Sequence, residues 1–149
     1  MSDFDTASYY AIVAAGHDTT SATISGGILV LIETPEELRR LRADPGLMAL
    51  ATGETIRWIT PVREFMRPAT TDAMIRGVSI AAGESVLLSD VSGNRDEDVF
   101  GDPFRFDVSR DPYKHIAFGY GVHFCLGAAL ARTAVNSLFS ELLPRAGDR

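Results

Sequence analysis

The sequence predicts a mainly helical fold with a small β portion. Three observations lead there. A nearly uncharged stretch without proline runs from Ala7 to Ile32. Two helix-start signals follow, at Thr34-Pro35 and Asp44-Pro45. Short segments of strand character then lie between Glu64 and Ser89.

In Ala7–Ile32 the only formally charged residue is Asp18. Tyr9, Tyr10, Ile12, Val13, Ala14, Ile24, Ile28, Leu29 and Leu31 point in all directions around a 3.6-residue period, and a helix apolar all round must be covered all round. Such a helix is about 39 Å long, about the diameter of a compact domain of this length, whose radius of gyration is about 15 Å. The remaining residues are too few to cover it, so a piece of a larger domain is expected. In Thr34-Pro35-Glu36-Glu37, Thr34 is placed to cap, Pro35 suits the first helical position and Glu37 closes a capping box. That helix is expected to reach about Ala43, with Arg39, Arg40 and Arg42 near its negative end. Asp44-Pro45 starts another, to about Ile59, weakened by Gly53 and stopped before Pro61. Strands are expected at Glu64–Ala69, Met74–Ile80 and Ser85–Ser89, with turns at Thr71-Asp72 and Ala82-Gly83. Gly93–Gly121 reads as largely irregular and holds Pro103 and Pro112; irregular stretches of that length are usually functional. The last helix is expected from Leu126 to Leu143, ended by Pro144.

The 149 residues are 46% hydrophobic and 23% charged, the composition of a globular domain rather than a disordered, collagenous or disulfide-stapled chain. Net charge is −6, and no basic run suits nucleic acid. The single cysteine, Cys125, cannot form an intramolecular disulfide and fits a reducing compartment. Met1–Thr6 lacks the basic start of a secretory signal. The longest purely apolar run in the first helix, Ile28–Ile32, is far short of a membrane span. A soluble, cytoplasmic protein without nucleic-acid or membrane partners is expected.

The strongest chemical signal is Phe118-Gly119-Tyr120-Gly121-Val122-His123-Phe124-Cys125-Leu126-Gly127. Glycines allow tight turns and close approach of backbone to a ligand. A helix start beside a cysteine stabilises its thiolate, which then serves as nucleophile, redox sensor or metal ligand; the bland reading is an inert cysteine on a turn. A second signal is Ala15-Gly16-His17-Asp18-Thr19-Thr20. Gly16 costs the helix about 1 kcal/mol against alanine, and Thr19 can bond back to the carbonyl of Ala15. Small residues beside an acid and an alcohol suit either a cavity where protons are delivered or a helix crossing, and these six residues do not separate the two. The third signal, Glu54-Thr55-Ile56-Arg57, puts two charges on one helical face; alone it reads as a solvated surface pair.

In this order the three motifs resemble the haem-thiolate monooxygenases of the cytochrome P-450 superfamily, bacterial soluble type. Phe118–Gly127 is similar to the family's haem loop, F-G-x-G-x-[HR]-x-C-x-G, at every fixed position. Ala15–Thr20 resembles the oxygen-binding helix, A-G-x-[DE]-T-[TS], and Glu54 with Arg57 resembles E-x-x-R. Pro103–Arg110 resembles the segment before the haem loop, and Asn94-Arg95-Asp96 also fits. The resemblance covers nearly the whole chain. The implied fold is the carboxyl-terminal core of that family: oxygen-binding helix, E-x-x-R helix, haem loop and following helix. Residues 1–149 would be the C-terminal part of one haem-thiolate domain without its N-terminal half, because family members are more than twice as long; the family's terminal β hairpin would also lie outside them.

The resemblance further implies haem b (iron protoporphyrin IX), with Cys125 as axial thiolate. Phe118, Gly119 and Gly127 of the loop, and Ala15 and Gly16 of the helix, would lie against the cofactor. Arg67 and His123 would bind its propionates. Asp18 and Thr19 would relay protons to oxygen, while Glu54, Arg57 and Arg110 would form a structural ion network. His17 and His115 would be structural. Ile12, Ala15, Val62 and Phe65 would line a pocket for an apolar small-molecule substrate, and Pro61–Arg67 resembles bacterial members acting on terpenes or alkanes. Electrons would come from NAD(P)H through a ferredoxin reductase and a ferredoxin, with O2 as co-substrate. Two other readings stand beside this one: a truncated, non-catalytic chain binding haem weakly or not at all, and a thiol enzyme using Cys125 with His123. A zinc site lacks paired ligand spacing.

Overall fold

The computed structural model describes residues 3–111 and 113–145; Pro112 lies outside them. Among the described residues five α-helices and four short strands make a mainly helical fold with a small β portion, as the patterning predicts. The first helix, α1, runs Asp3–Glu33 and overshoots the expected range at both ends. Three of its hydroxyls bond back within the helix: Thr19 Oγ1 donates to the Ala15 carbonyl at 2.6 Å, Thr23 to that of Thr19 at 2.8 Å and Ser25 to that of Ser21 at 2.8 Å. Back-bonding of this kind lets a helix bury threonine and serine without orphaned donors.

Helix α2 is Pro35–Ala43. Its start departs from the expected capping box. Thr34 makes no capping bond; its hydroxyl donates back to the Val30 carbonyl at 2.6 Å, because α1 runs almost directly into α2. Glu37 turns inward instead, almost fully buried, and accepts the Val108 amide at 3.1 Å. After a 3-10 turn at Pro45–Leu47, where Asp44 Oδ1 accepts the Gly46 amide at 2.9 Å, helix α3 spans Met48–Ile59. It ends at Thr60, held in the left-handed region at φ 45°. That conformation is costly for a β-branched residue. The buried Thr60 hydroxyl offsets it, donating to the Arg57 carbonyl at 2.6 Å and accepting from Asn94 Nδ2 at 2.9 Å.

Strands β1 (Glu64–Pro68) and β4 (Ser85–Ser89) pair antiparallel, Glu64 opposite Ser89 and Pro68 opposite Ser85. The single strand expected over Met74–Ile80 is a hairpin, β2 (Ala73–Ile75) with β3 (Val78–Ile80). Arg76 and Gly77 both have positive φ, 47° and 83°, so the chain reverses there in a tight two-residue turn, with glycine at one of its two left-handed positions. Short helix α4 (Asp90–Gly93) opens the irregular stretch, and α5 runs Ala128–Leu142, two residues later than expected at its start.

Helices α1, α3 and α5 are all in mutual contact. The core joins Val30 and Leu31 of α1, Leu41 of α2, Met48 and Ala51 of α3, Val135 and Phe139 of α5, and Phe106 and Val108 of the irregular stretch. All-round cover of α1 is not what the described residues supply: Thr23, Val30 and Leu31 are buried, while Tyr9, Tyr10, Ile12 and Val13 are exposed.

Candidate functional site

The stretch from Phe118 to Gly127 is a closed loop. The Cys125 amide donates to the Phe118 carbonyl at 2.8 Å, and a 3-10 turn at Gly121–His123 lies between them, its end marked by Phe124 N–H to the Gly121 carbonyl at 3.1 Å. Gly119 and Gly121 have φ of 71° and 67°, the left-handed region that glycine enters without strain. A Cβ at Gly119 would also stand 3.3 Å from the His123 carbonyl oxygen. At Gly127 a Cβ would reach 3.9 Å from Cys125 Sγ, so glycine keeps that side of the sulfur free of side chain. The thiol is exposed, and Ala128 N–H reaches the Cys125 carbonyl at 3.3 Å where α5 begins.

Phe118 is anchored on several sides. Its ring meets Phe124 edge-on at 6.2 Å and His115 at 5.6 Å, and the Arg132 guanidinium lies 4.5 Å over it. His115 Nδ1 accepts the Ala117 amide at 3.2 Å. Burial, aided by the charges of Arg132 and Arg57, pushes its pKa down to about 4, so the ring is neutral at pH 7.

Glu54, Arg57 and Arg110 come together in one buried cluster. Arg57 and Glu54 are both at 0% exposure and form a bidentate pair, 2.7 and 2.8 Å. Arg57 Nη1 also donates to the carbonyls of Asn94 at 2.6 Å and Pro103 at 3.1 Å. Glu54 Oε1 accepts Arg110 Nε at 3.1 Å and the Asp107 amide at 3.2 Å. Arg110 continues to the carbonyls of Gly101, Asp102 and Arg105. A motif that alone reads as a surface pair therefore ties α3 to the chain leading into the Cys125 loop.

The other expected residues are placed more openly. Thr19 is half-buried with its hydroxyl on Ala15, while Asp18, Ala15, Gly16 and His17 are exposed; a Cβ at Gly16 would meet nothing within 4 Å. Arg67 is exposed on β1, donates to the Met66 carbonyl at 3.0 Å and lies 4.9 Å from the centre of the Phe65 ring. His123 is exposed, and no hydrogen bond joins it to the Cys125 thiol among the described residues. Ile12 and Phe65 are exposed and Val62 half-buried. They lie outside the lining of a ≈ 300 Å³ cavity, which sits between α3 and α5. Among the described residues no group of three metal-binding side chains gathers, and no helix is long and apolar enough to cross a membrane.

Two polar residues organise this region in ways the sequence reading did not state: Asn94 was noted only as fitting the family pattern, and Glu37 only as a cap. Asn94 is fully buried; besides bonding Thr60 it accepts the Ile116 amide on Oδ1 at 2.7 Å, clamping the approach to the loop. The Asn94-Arg95-Asp96 segment, noted only for its resemblance, was the available signal. Glu37 was read as a capping residue, and nothing local marked it as buried; with Arg40 at 2.8 Å it grips Val108 next to the Asp107 amide held by Glu54.

Comparison with known proteins follows the same lines. The profile of the family described as Cytochrome P450 matches residues 47–145. Cytochrome P450-terp of Pseudomonas sp is 45% identical over 137 residues, 92% of this chain and 32% of its own length. Steroid C26-monooxygenase of Mycobacterium tuberculosis (strain ATCC 25618 / H37Rv) is 40% identical, over 92% of this chain and 34% of its own length. The structure of CYP108D1 from Novosphingobium aromaticivorans DSM12444 superposes with a TM-score of 0.87 at 47% identity, covering 97% of this chain and 35% of that one. The chain thus spans about a third of the length of these relatives.

Proposed function

The chain belongs to the cytochrome P450 family, and from that premise we propose that it supplies the haem-thiolate centre of a monooxygenase inserting one atom of O2 into an apolar small molecule. The observation that carries this reading is the setting of Cys125: an exposed sulfur, held by the Cys125–Phe118 backbone bond, with glycine rather than a side chain at position 127 beside it. A flat cofactor needs that bare approach, and the donor set fits it. Haem b, held by Cys125, would supply oxygen activation there, thiolate ligation favouring O–O cleavage.

The chain's own residues do the rest. Phe118, Gly119, Gly127, Ala15 and Gly16 provide surfaces without charge for the macrocycle. Arg67 and His123, both exposed, pair its propionate carboxylates by charge-assisted hydrogen bonds. Thr19 holds a hydroxyl proton on the Ala15 carbonyl at 2.6 Å, and rotation about χ1 turns that proton outward; Asp18, on the same turn of α1, takes up and returns protons from solvent. Ile12, Ala15, Val62 and Phe65 offer apolar contact to the substrate. The similarity to a steroid C26-monooxygenase supports an apolar substrate class. NAD(P)H, a ferredoxin reductase and a ferredoxin supply electrons to a cytoplasmic enzyme, the arrangement expected for the bacterial family.

The test is spectroscopic. The haem-loaded, reduced protein with carbon monoxide is expected to give the Soret band of thiolate ligation, and Cys125→Ser to lose it. The same band in both proteins would sink the assignment of Cys125.

A further inference from the structure

The cavity between α3 and α5 has a lining unlike that of an apolar substrate pocket. It measures ≈ 300 Å³, and Thr52, His115, Arg132, Thr133, Asn136 and Ser137 contribute polar side chains to it. No carboxylate lines it among the described residues. Arg132 makes no ion pair among the described residues; its recorded contact is with the face of Phe118.

Thr52 is the second, independent observation. It is only 2% exposed, and its hydroxyl has no hydrogen-bond partner among the described residues. Other helical threonines take the refuge of the carbonyl four residues back: Thr55 on Ala51 at 2.7 Å and Thr133 on Ala129 at 3.0 Å. Thr52 does not, although a buried unpaired hydroxyl is costly. His115 adds a donor of settled kind. Its Nδ1 is occupied in accepting the Ala117 amide, so the neutral ring carries its proton on Nε2.

We propose that this cavity binds a small oxyanion, a phosphate or a short-chain carboxylate, with Arg132 as counter-ion and Thr52, Asn136 and Ser137 as hydrogen-bonding partners. The volume lies at the lower end for ligand pockets and suits a compact anion rather than a nucleotide. A guanidinium without a carboxylate partner, beside hydroxyl and amide groups, is the donor set that oxyanions select. The site is separate from the exposed Arg67 and His123.

Calorimetric titration of the intact protein with inorganic phosphate and, separately, succinate tests this, with chloride as control. One saturable site is expected for at least one of the two, and which one tells a phosphate-bearing from a carboxylate ligand. Arg132→Gln is expected to weaken it about tenfold or more. Thr52→Val should weaken it severalfold while the melting temperature holds or rises, because the unpaired hydroxyl is gone. Arg67→Gln should leave affinity unchanged. Absence of saturable binding by both anions, equal affinity in Arg132→Gln, or loss in Arg67→Gln instead would overturn the proposal.

Discussion

Arg57 holds a full charge at 0% exposure, which elementary solvation forbids unless its N–H groups find oxygen. They do, on both oxygens of Glu54 and on the carbonyls of Asn94 and Pro103. The pair gives little net stability against an apolar replacement, but removing one partner is severe. Arg57→Met is expected to destabilise the fold by about 3–5 kcal/mol, since it strands the Glu54 carboxylate beside a lone Arg110; denaturant melts check this, and a loss below about 1 kcal/mol, the range of a surface pair, would contradict it. His115 makes the opposite kind of contribution. Its folded pKa of about 4 lies below the ordinary 6.5. Between these values the unfolded chain binds the extra proton, so stability is complete above pH 6.5 and falls as pH drops toward 4. The slope is at most about 1.4 kcal/mol per pH unit. His115→Gln should flatten that part of the acid-stability profile; an unchanged profile would show that other groups dominate it.

Among the elements, α1 shows how position decides what a glycine does. A Cβ at Gly27 would stand 2.5 Å from Thr55 Cγ2 and 2.7 Å from Phe139 Cζ, where α1 crosses α3 and α5. Phe139 is fully buried and cannot give way. Gly27→Ala is therefore expected to cost about 1–3 kcal/mol through overpacking, more than the helix propensity it gains. Gly16→Ala, facing open space, should stabilise the isolated chain by up to about 1 kcal/mol. Thermal melts of the two variants should move in opposite directions, and a shared direction would refute the crossing argument. Most elements were legible because their signals are local: Asp44-Pro45, Ala82-Gly83 and the alternation in Ser85–Ser89 act within a few residues. Two were misread for the same reason. The Arg76-Gly77 reversal needs only one glycine, which an alternating stretch hides, and the Glu37 spacing satisfies a capping rule although tertiary contacts draw the side chain to Val108.

Across the whole molecule, the candidate site divides along one line. Cys125, its flanking glycines and the Glu54-Thr55-Ile56-Arg57 motif could be named from sequence, because the backbone conformations and helical spacing they demand are properties of a few consecutive residues. The Thr19 back-bond to Ala15 was legible too, being one helical turn long. The cavity around Thr52 and Arg132, and the clamp made by Asn94, were not; they join residues from distant parts of the chain. The sequence by itself determined the fold class, the order of motifs and the apolar girth of α1. Only the tertiary structure decided which residues of α1 are covered, Thr23, Val30 and Leu31 rather than Tyr9, Tyr10, Ile12 and Val13, and which charges are desolvated. The physical reason is that burial depends on what packs from elsewhere: periodicity states that a face seeks cover, and only the assembled neighbours state whether it receives any.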